Sequence, residues 1–158
     1  MNMGEQRTLV TYFTKGGVTG ENAQIVADVL RGEFGHHVTV VNMRKEKVPD
    51  LEPFQNVVVG TGVRIQRPYR KPRKFLKDKR LRDKKVAIFI SSGEAGDDPA
   101  AATAKYEKKL CGNLEHMKPV SCQAFGGRFP FGDKTDWTDP EKVREWAYRL
   151  GEVLKYPD

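Results

Sequence analysis

Apolar and polar positions along this chain follow two alternating periods. Five short runs rich in Val, Ile, Thr and Phe recur: RTLVTYF from Arg7, HVTVVN from His37, NVVVGT from Asn56, KVAIFIS from Lys85 and PVSCQAF from Pro119. Each predicts a strand. The first, third and fourth are almost continuously apolar, the pattern of strands covered on both faces by helices in a parallel sheet. Between the runs the period lengthens. Over Thr19 to Phe34, the residues Ala23, Val26, Ala27, Leu30 and Phe34 fall three or four apart on one helical face, and Gly35 supplies the stop. Asp98 followed by Pro99 predicts an N-cap and first-turn proline for a helix to about Leu110. The last helix opens at Thr138, Asp139, Pro140 and Glu141, with Thr138 and Glu141 spaced as a capping box. Its stripe of Val143, Trp146, Ala147, Leu150 and Leu154 reads as core contact with the sheet. The stretch Arg70 to Arg82 predicts a helix from about Pro72, with Phe75 and Leu76 facing inward. Strands alternating with helices imply right-handed crossovers and an open, doubly wound α/β sheet. With no linker, repeat or low-complexity tract, residues 1–158 read as a single domain.

Composition narrows the class without changing that picture. The chain is 38% hydrophobic and 31% charged, as in an ordinary globular protein. The longest apolar run, Val86 to Ile90, is far short of a membrane span, and the first residues lack the apolar core of a signal peptide, so a cytoplasmic location is expected. Cys111 and Cys122 form neither a disulfide framework nor a zinc pattern and are expected as core or half-buried thiols. Charge adds more. Arg64 to Lys85 holds 12 of the 28 lysines and arginines but two of the 21 acids, so this segment carries +10 and the remainder −3. A solvated helical face is the bland reading of such a run; the near absence of compensating acids points equally to a functional one.

In a doubly wound sheet, ligands bind beyond the carboxyl ends of the strands where strand order reverses. The first such loop runs Thr14, Lys15, Gly16, Gly17, Val18, Thr19. Its glycines let backbone amides approach an anion, the threonines offer hydroxyls, Lys15 adds charge, and the following helix contributes its N-terminal dipole. An ordinary glycine turn into a Thr-capped helix is an equally good reading of this loop alone. There is no GxxxxGK[ST], and the loop lacks GxGxxG spacing, which argues against ATP and NAD. The loop resembles the phosphate loop of flavodoxins, T-x-T-G-x-T, matching at three of its four defined positions with Gly16 in place of a hydroxyl residue. Strand three ends in Gly60, Thr61, Gly62, Val63, strand four in Ser91, Ser92, Gly93, and strand five in Phe125, Gly126, Gly127, Arg128. Each of these, and the closing segment Asp136, Trp137 to Leu154, resembles its counterpart in the flavodoxin-domain family that includes menaquinone-dependent protoporphyrinogen dehydrogenases.

The resemblance implies a three-layer flavodoxin-like sandwich with a five-stranded parallel sheet in the order 2-1-3-4-5. It implies FMN with its phosphate on the first loop and its isoalloxazine between the second and third. The cofactor-binding residues it implies are Thr14, Lys15, Gly16, Gly17, Val18, Thr19, Thr61, Gly62, Val63, Arg64, Ser91, Ser92 and Gly93. Electron-carrying flavodoxins usually sandwich the ring between aromatics and surround it with acids; neither is evident here. Val63, Arg64, Ile65, Gln66, Arg67 and Tyr69 make up the second loop, and Ser91 to Asp98 contains no aromatic. Arg64 and Arg67 are expected to favour negative charge on reduced flavin and a less negative potential. A basic face is expected to steer toward a redox partner with an acidic docking face or toward an anionic substrate, with nucleic acid ranked last. The first reading is therefore an FMN-dependent electron carrier. The alternatives are a protoporphyrinogen dehydrogenase-like enzyme and a flavin-free binding domain on the same fold. His36, His37 and His116 lie outside the loops and are expected at the surface or strand edges; Glu94, Asp97 and Asp98 are loop acids without an assigned role. No catalytic residue and no metal site are predicted.

Overall fold

In the computed structural model, which describes residues 5–128 and 136–156, all five predicted strands form. They are β1 (Arg7–Phe13), β2 (His37–Asn42), β3 (Asn56–Arg64), β5 (Lys85–Ser92) and β6 (Ser121–Gly126), parallel throughout and ordered β2-β1-β3-β5-β6. This is the expected 2-1-3-4-5 order. A sixth strand was not expected: β4 (Arg67–Pro68) folds back antiparallel on the end of β3, pairing Val63 with Pro68 and Arg64 with Arg67. It is too short to carry a period in the sequence.

Pleating divides the core. Leu9, Val57, Val59, Ile88 and Ile90 face one side of the sheet, and Val10, Val58, Ala87 and Phe89 face the other. The second side is covered by α1 (Val18–Phe34) and α5 (Pro140–Leu154), whose stripes of Ala23, Val26 and Leu30, and of Val143, Trp146 and Leu150, are buried as the periodicity predicts. The first side is covered by α2 (Arg70–Leu76), a 3-10 turn (Lys79–Asp83), the single-turn α3 (Glu94–Asp97) and α4 (Pro99–Cys111). Each fully buried aliphatic contributes about 1.5–3 kcal/mol, so continuous apolar runs in the central strands are what hold three layers together.

Helix ends bear out one expectation and correct two. Asp98 caps α4, accepting from the Ala101 amide at 3.1 Å. At α5 the cap is Asp139, which accepts from Lys142, rather than Thr138; the Thr138 hydroxyl is taken by Asp136 at 2.5 Å. The basic stretch starts earlier than Pro72 and is broken in two. Pro72 lies in the first turn of α2, where a missing N–H forfeits no intrahelical bond, and Asp78 ends the helical run by capping the 3-10 turn through the Arg80 amide. Leu81 is as fully buried as Leu76. His36, at the amino end of β2, is buried rather than at the surface, its Nδ1 2.8 Å from Thr8 Oγ1. Burial raises the Cys111 thiol to about 11 and pushes Cys122 up as well, which disfavours the thiolate at both; each is half-buried, as expected. Among the described residues, no helix is long and apolar enough to cross a membrane, and no group of acids, His and Cys could hold a metal ion.

Candidate functional site

The carboxyl ends of β1, β3, β5 and β6 open onto one cleft of about 670 Å³. Parallel strands place it there, because all four loops leave the same edge of the sheet. Thr14, Lys15, Gly16, Val18 and Thr19 line it from the first loop. Gly62, Val63 and Arg64 line it from the second, and Ser91, Ser92 and Gly93 from the third. Thus 11 of the 13 expected residues meet in one space. Four more join them: Ile65, Tyr69, Gly127 and Arg128. The sequence signal for Gly127 and Arg128 was their place after β6, and for Tyr69 its aromatic ring beside the second loop.

Gly17 and Thr61 stand behind the lining. Gly17 is the N-cap of α1 at φ +92, and its amide donates to Thr14 Oγ1 at 3.0 Å, which folds the loop back on itself. The left-handed backbone there suits glycine. Thr61 is wholly buried; its hydroxyl donates to the Gly62 carbonyl at 2.7 Å and accepts from the Tyr69 amide at 3.3 Å. It shapes the second loop from beneath. Arg67 also lies outside the lining, on β4, so Arg64 alone of the expected arginine pair borders the cleft.

The first-loop end of the cleft has the chemistry of an anion site. No side chain caps α1, so its opening amides have no side-chain acceptor. Thr19 Oγ1 is buried and has no partner among the described residues. Gly16 borders open space, with nothing within 4 Å of where a Cβ would stand. No acid is among the lining residues, whose charged members are Lys15, Arg64 and Arg128. Arg128 is held from both sides, by Glu21 at 2.7 and 2.8 Å and by Asp136 at 3.2 Å. The guanidinium draws the Glu21 carboxyl below its ordinary range and is itself raised. These features fit a phosphate: an uncapped helix start, an orphaned hydroxyl, an open glycine corner and a net positive rim.

A family model described as Flavodoxin domain matches residues 9–145. The chain belongs to the flavodoxin-domain family. Its curated relatives include the protoporphyrinogen IX dehydrogenase [quinone] of Escherichia coli strain K12, 24% identical over 96% of this chain and 98% of that protein. Among solved structures, oxidised flavodoxin 1 from Bacillus cereus superposes with a TM-score of 0.63 at 18% identity, covering 94% of this chain and 98% of that one. A flavodoxin from the domain Archaea gives 0.62 at 19% identity, covering 96% and 100%. This flavodoxin-domain protein is thus an FMN-binding redox protein of flavodoxin-like fold, and flavodoxins pass electrons to partner proteins.

Within the flavodoxin domain, the second and third loops are the part that sequence reasoning resolved least. Tyr69 is their one aromatic in the cleft; it packs on Phe13 at 5.0 Å between centroids and lies under Lys15 Nζ at 5.8 Å. Trp137 is kept elsewhere. It lies against Gly96 and Gly126, where any Cβ would overlap it, and so anchors the third loop to the end of β6. Ile65 and Gln66 join β3 to β4 with φ of +49° and +60°. Two positive values at the centre of a hairpin turn usually call for Asn-Gly. Holding two other residues there costs about 1 kcal/mol or more apiece, and Ile65 is β-branched. Ile65 is nevertheless 85% exposed at the cleft.

Proposed function

We propose that this protein is a single-domain electron carrier whose Thr14–Thr19 loop holds the FMN phosphate and whose second and third loops hold the isoalloxazine. The observation that carries this reading is the buried, unpartnered Thr19 hydroxyl at an uncapped helix start, within a cleft that has no acid in its lining. FMN supplies one- and two-electron redox chemistry, and the protein supplies binding, orientation and electrostatics. In this reading Lys15, Gly16, Val18 and the Thr14 and Thr19 hydroxyls receive the phosphate, while Gly17 fixes the loop through Thr14. Gly62, Val63, Arg64, Ser91, Ser92 and Gly93 form the ring pocket, and Thr61 supports it from below. Arg64, uncompensated by any lining acid, favours extra negative charge in the pocket. The exposed bases of α2, which starts immediately after Tyr69, steer an acidic partner protein toward the same edge.

Titrating FMN into purified protein while following flavin fluorescence tests this. Quenching is expected in the wild type, and a Thr14→Ala, Lys15→Ala variant is expected to lose about two orders of magnitude in affinity as two charge-assisted and neutral donors disappear. Equal affinity in both proteins would overturn the phosphate assignment. A second reading is favoured by the end-to-end similarity to the Escherichia coli dehydrogenase. In it the same cleft oxidises a carboxylated tetrapyrrole with a quinone as acceptor, and turnover of that substrate would decide for it.

A further inference from the structure

The strained turn at Ile65 and Gln66 is held from one helix. Lys109 Nζ, on α4, donates to the Gln66 carbonyl at 2.6 Å, and Lys105 Nζ, one helical turn earlier, donates to Gln66 Oε1 at 3.2 Å. Lys105 also donates to Glu94 Oε2 at 2.8 Å; the buried Tyr106 hydroxyl donates to Glu94 Oε1 at 2.5 Å. Glu94 belongs to the third loop, where its amide donates to the Ser92 hydroxyl at 3.2 Å. Both ammonium groups lie against the Tyr106 ring, at 5.3 and 5.7 Å, which limits their freedom. Two walls of the cleft, more than twenty residues apart in sequence, are thereby tied to the same face of α4.

A backbone held in a sparsely populated region persists only where its surroundings over-determine it. Here the surroundings are two lysines, Lys109 bonded to the turn and Lys105 shared between the turn and Glu94, and what they fix is a large apolar side chain standing free at the mouth of the cleft. We infer that Lys105 and Lys109 are positioning residues that hold the Ile65–Gln66 turn in its left-handed form, so that Ile65 covers the flavin ring. The inference rests on the FMN reading. Its consequence is kinetic: an apolar cover that must swing away slows departure of the ring, and the hold on the turn sets how often it does so.

The test follows flavin release, by recovery of fluorescence on dilution, in the wild type and in a Lys105→Met, Lys109→Met variant. Lys109 is exposed and Lys105 partly so, neither side chain belongs to the buried core, and Tyr106 keeps its bond to Glu94, so the variant folds. Release of FMN is expected to be about tenfold faster in the variant, and release of riboflavin faster by the same factor, because the effect is at the ring. Lys109→Arg, which keeps a donor, stays near wild type. Gln66→Gly in the double variant returns the rate toward wild type, since glycine takes the left-handed conformation without help. In the flavin-free protein, hydrogen exchange across residues 64–67 speeds up in the double variant while α4 is unchanged. Wild-type release and exchange rates in the double variant, or no return with Gln66→Gly, would overturn the inference and leave the FMN reading intact. A wild type that binds no flavin would overturn both, and that failure shows before any variant is made.

Discussion

His36 is 6% exposed at the amino edge of the sheet, where its Nδ1 faces the Thr8 hydroxyl and Thr8 in turn accepts from Asn56 Nδ2 at 3.0 Å. Burial pulls its pKa below the ordinary 6.5, so the folded protein holds the neutral ring. The unfolded chain then binds a proton that the folded one refuses. Stability contributed by this site is therefore complete above 6.5 and declines as pH falls from there toward the depressed folded value. Urea midpoints measured from about pH 7.5 down to about pH 5.5 are expected to drop in the wild type and to drop less in His36→Gln, which has no proton to gain. Parallel profiles would show that the ring is solvated. Glu94 titrates lower: Lys105 and Tyr106 hold its carboxyl below 4.5, so its share of stability is kept above that value and lost as pH falls through the lowered one.

Arg128, just beyond β6, ties the end of that strand to the first turn of α1, reaching Glu21 across 107 residues of sequence. Glu21 lies in the first turn of α1, the helix whose start is proposed to receive the phosphate, and Arg128 neutralises it. Removing the guanidinium takes a positive charge from the cleft and leaves that carboxylate uncompensated in the same turn. Arg128→Ala is expected to weaken FMN about fivefold with little change for riboflavin, and adding Glu21→Gln is expected to restore most of the loss. Isothermal titration of the wild type, the single variant and the double variant with both flavins checks this; a loss that Glu21→Gln fails to repair would mean that Arg128 acts directly. The basic stretch shows how elements arise from local competition. Its apolar residues, Phe75, Leu76 and Leu81, do not share one helical period, and Asp78 finds a capping bond that ends the run, giving α2 and a 3-10 turn in place of one helix.

The whole molecule carries +7, concentrated in the segment that runs from the cleft along α2. Long-range attraction of that kind acts on encounter rate and is screened within about a Debye length. Electron exchange with an acidic partner is expected to slow as salt rises from about 0.05 to about 0.5 M, and Lys74→Glu with Lys77→Glu to slow it at low salt and flatten the dependence without altering FMN affinity. Stopped-flow mixing with acidic and basic redox proteins measures this; a faster reaction with the basic partner would reverse the assignment of the docking face. Five strands, the two covering helices of one face and the placing of the loops at one edge were legible in the chain itself, whereas the strand order and the 11 lining residues came through the family resemblance of those loops. The former depend on period, on caps within four residues and on loops confined to one edge of a parallel sheet. Burial of His36, the latch of Arg128 on Glu21, the retreat of Thr61 and Arg67 from the cleft and the left-handed turn at Ile65 were decided by tertiary contact. Each is settled by a partner tens of residues away or by the space left between packed layers, and no local propensity encodes either.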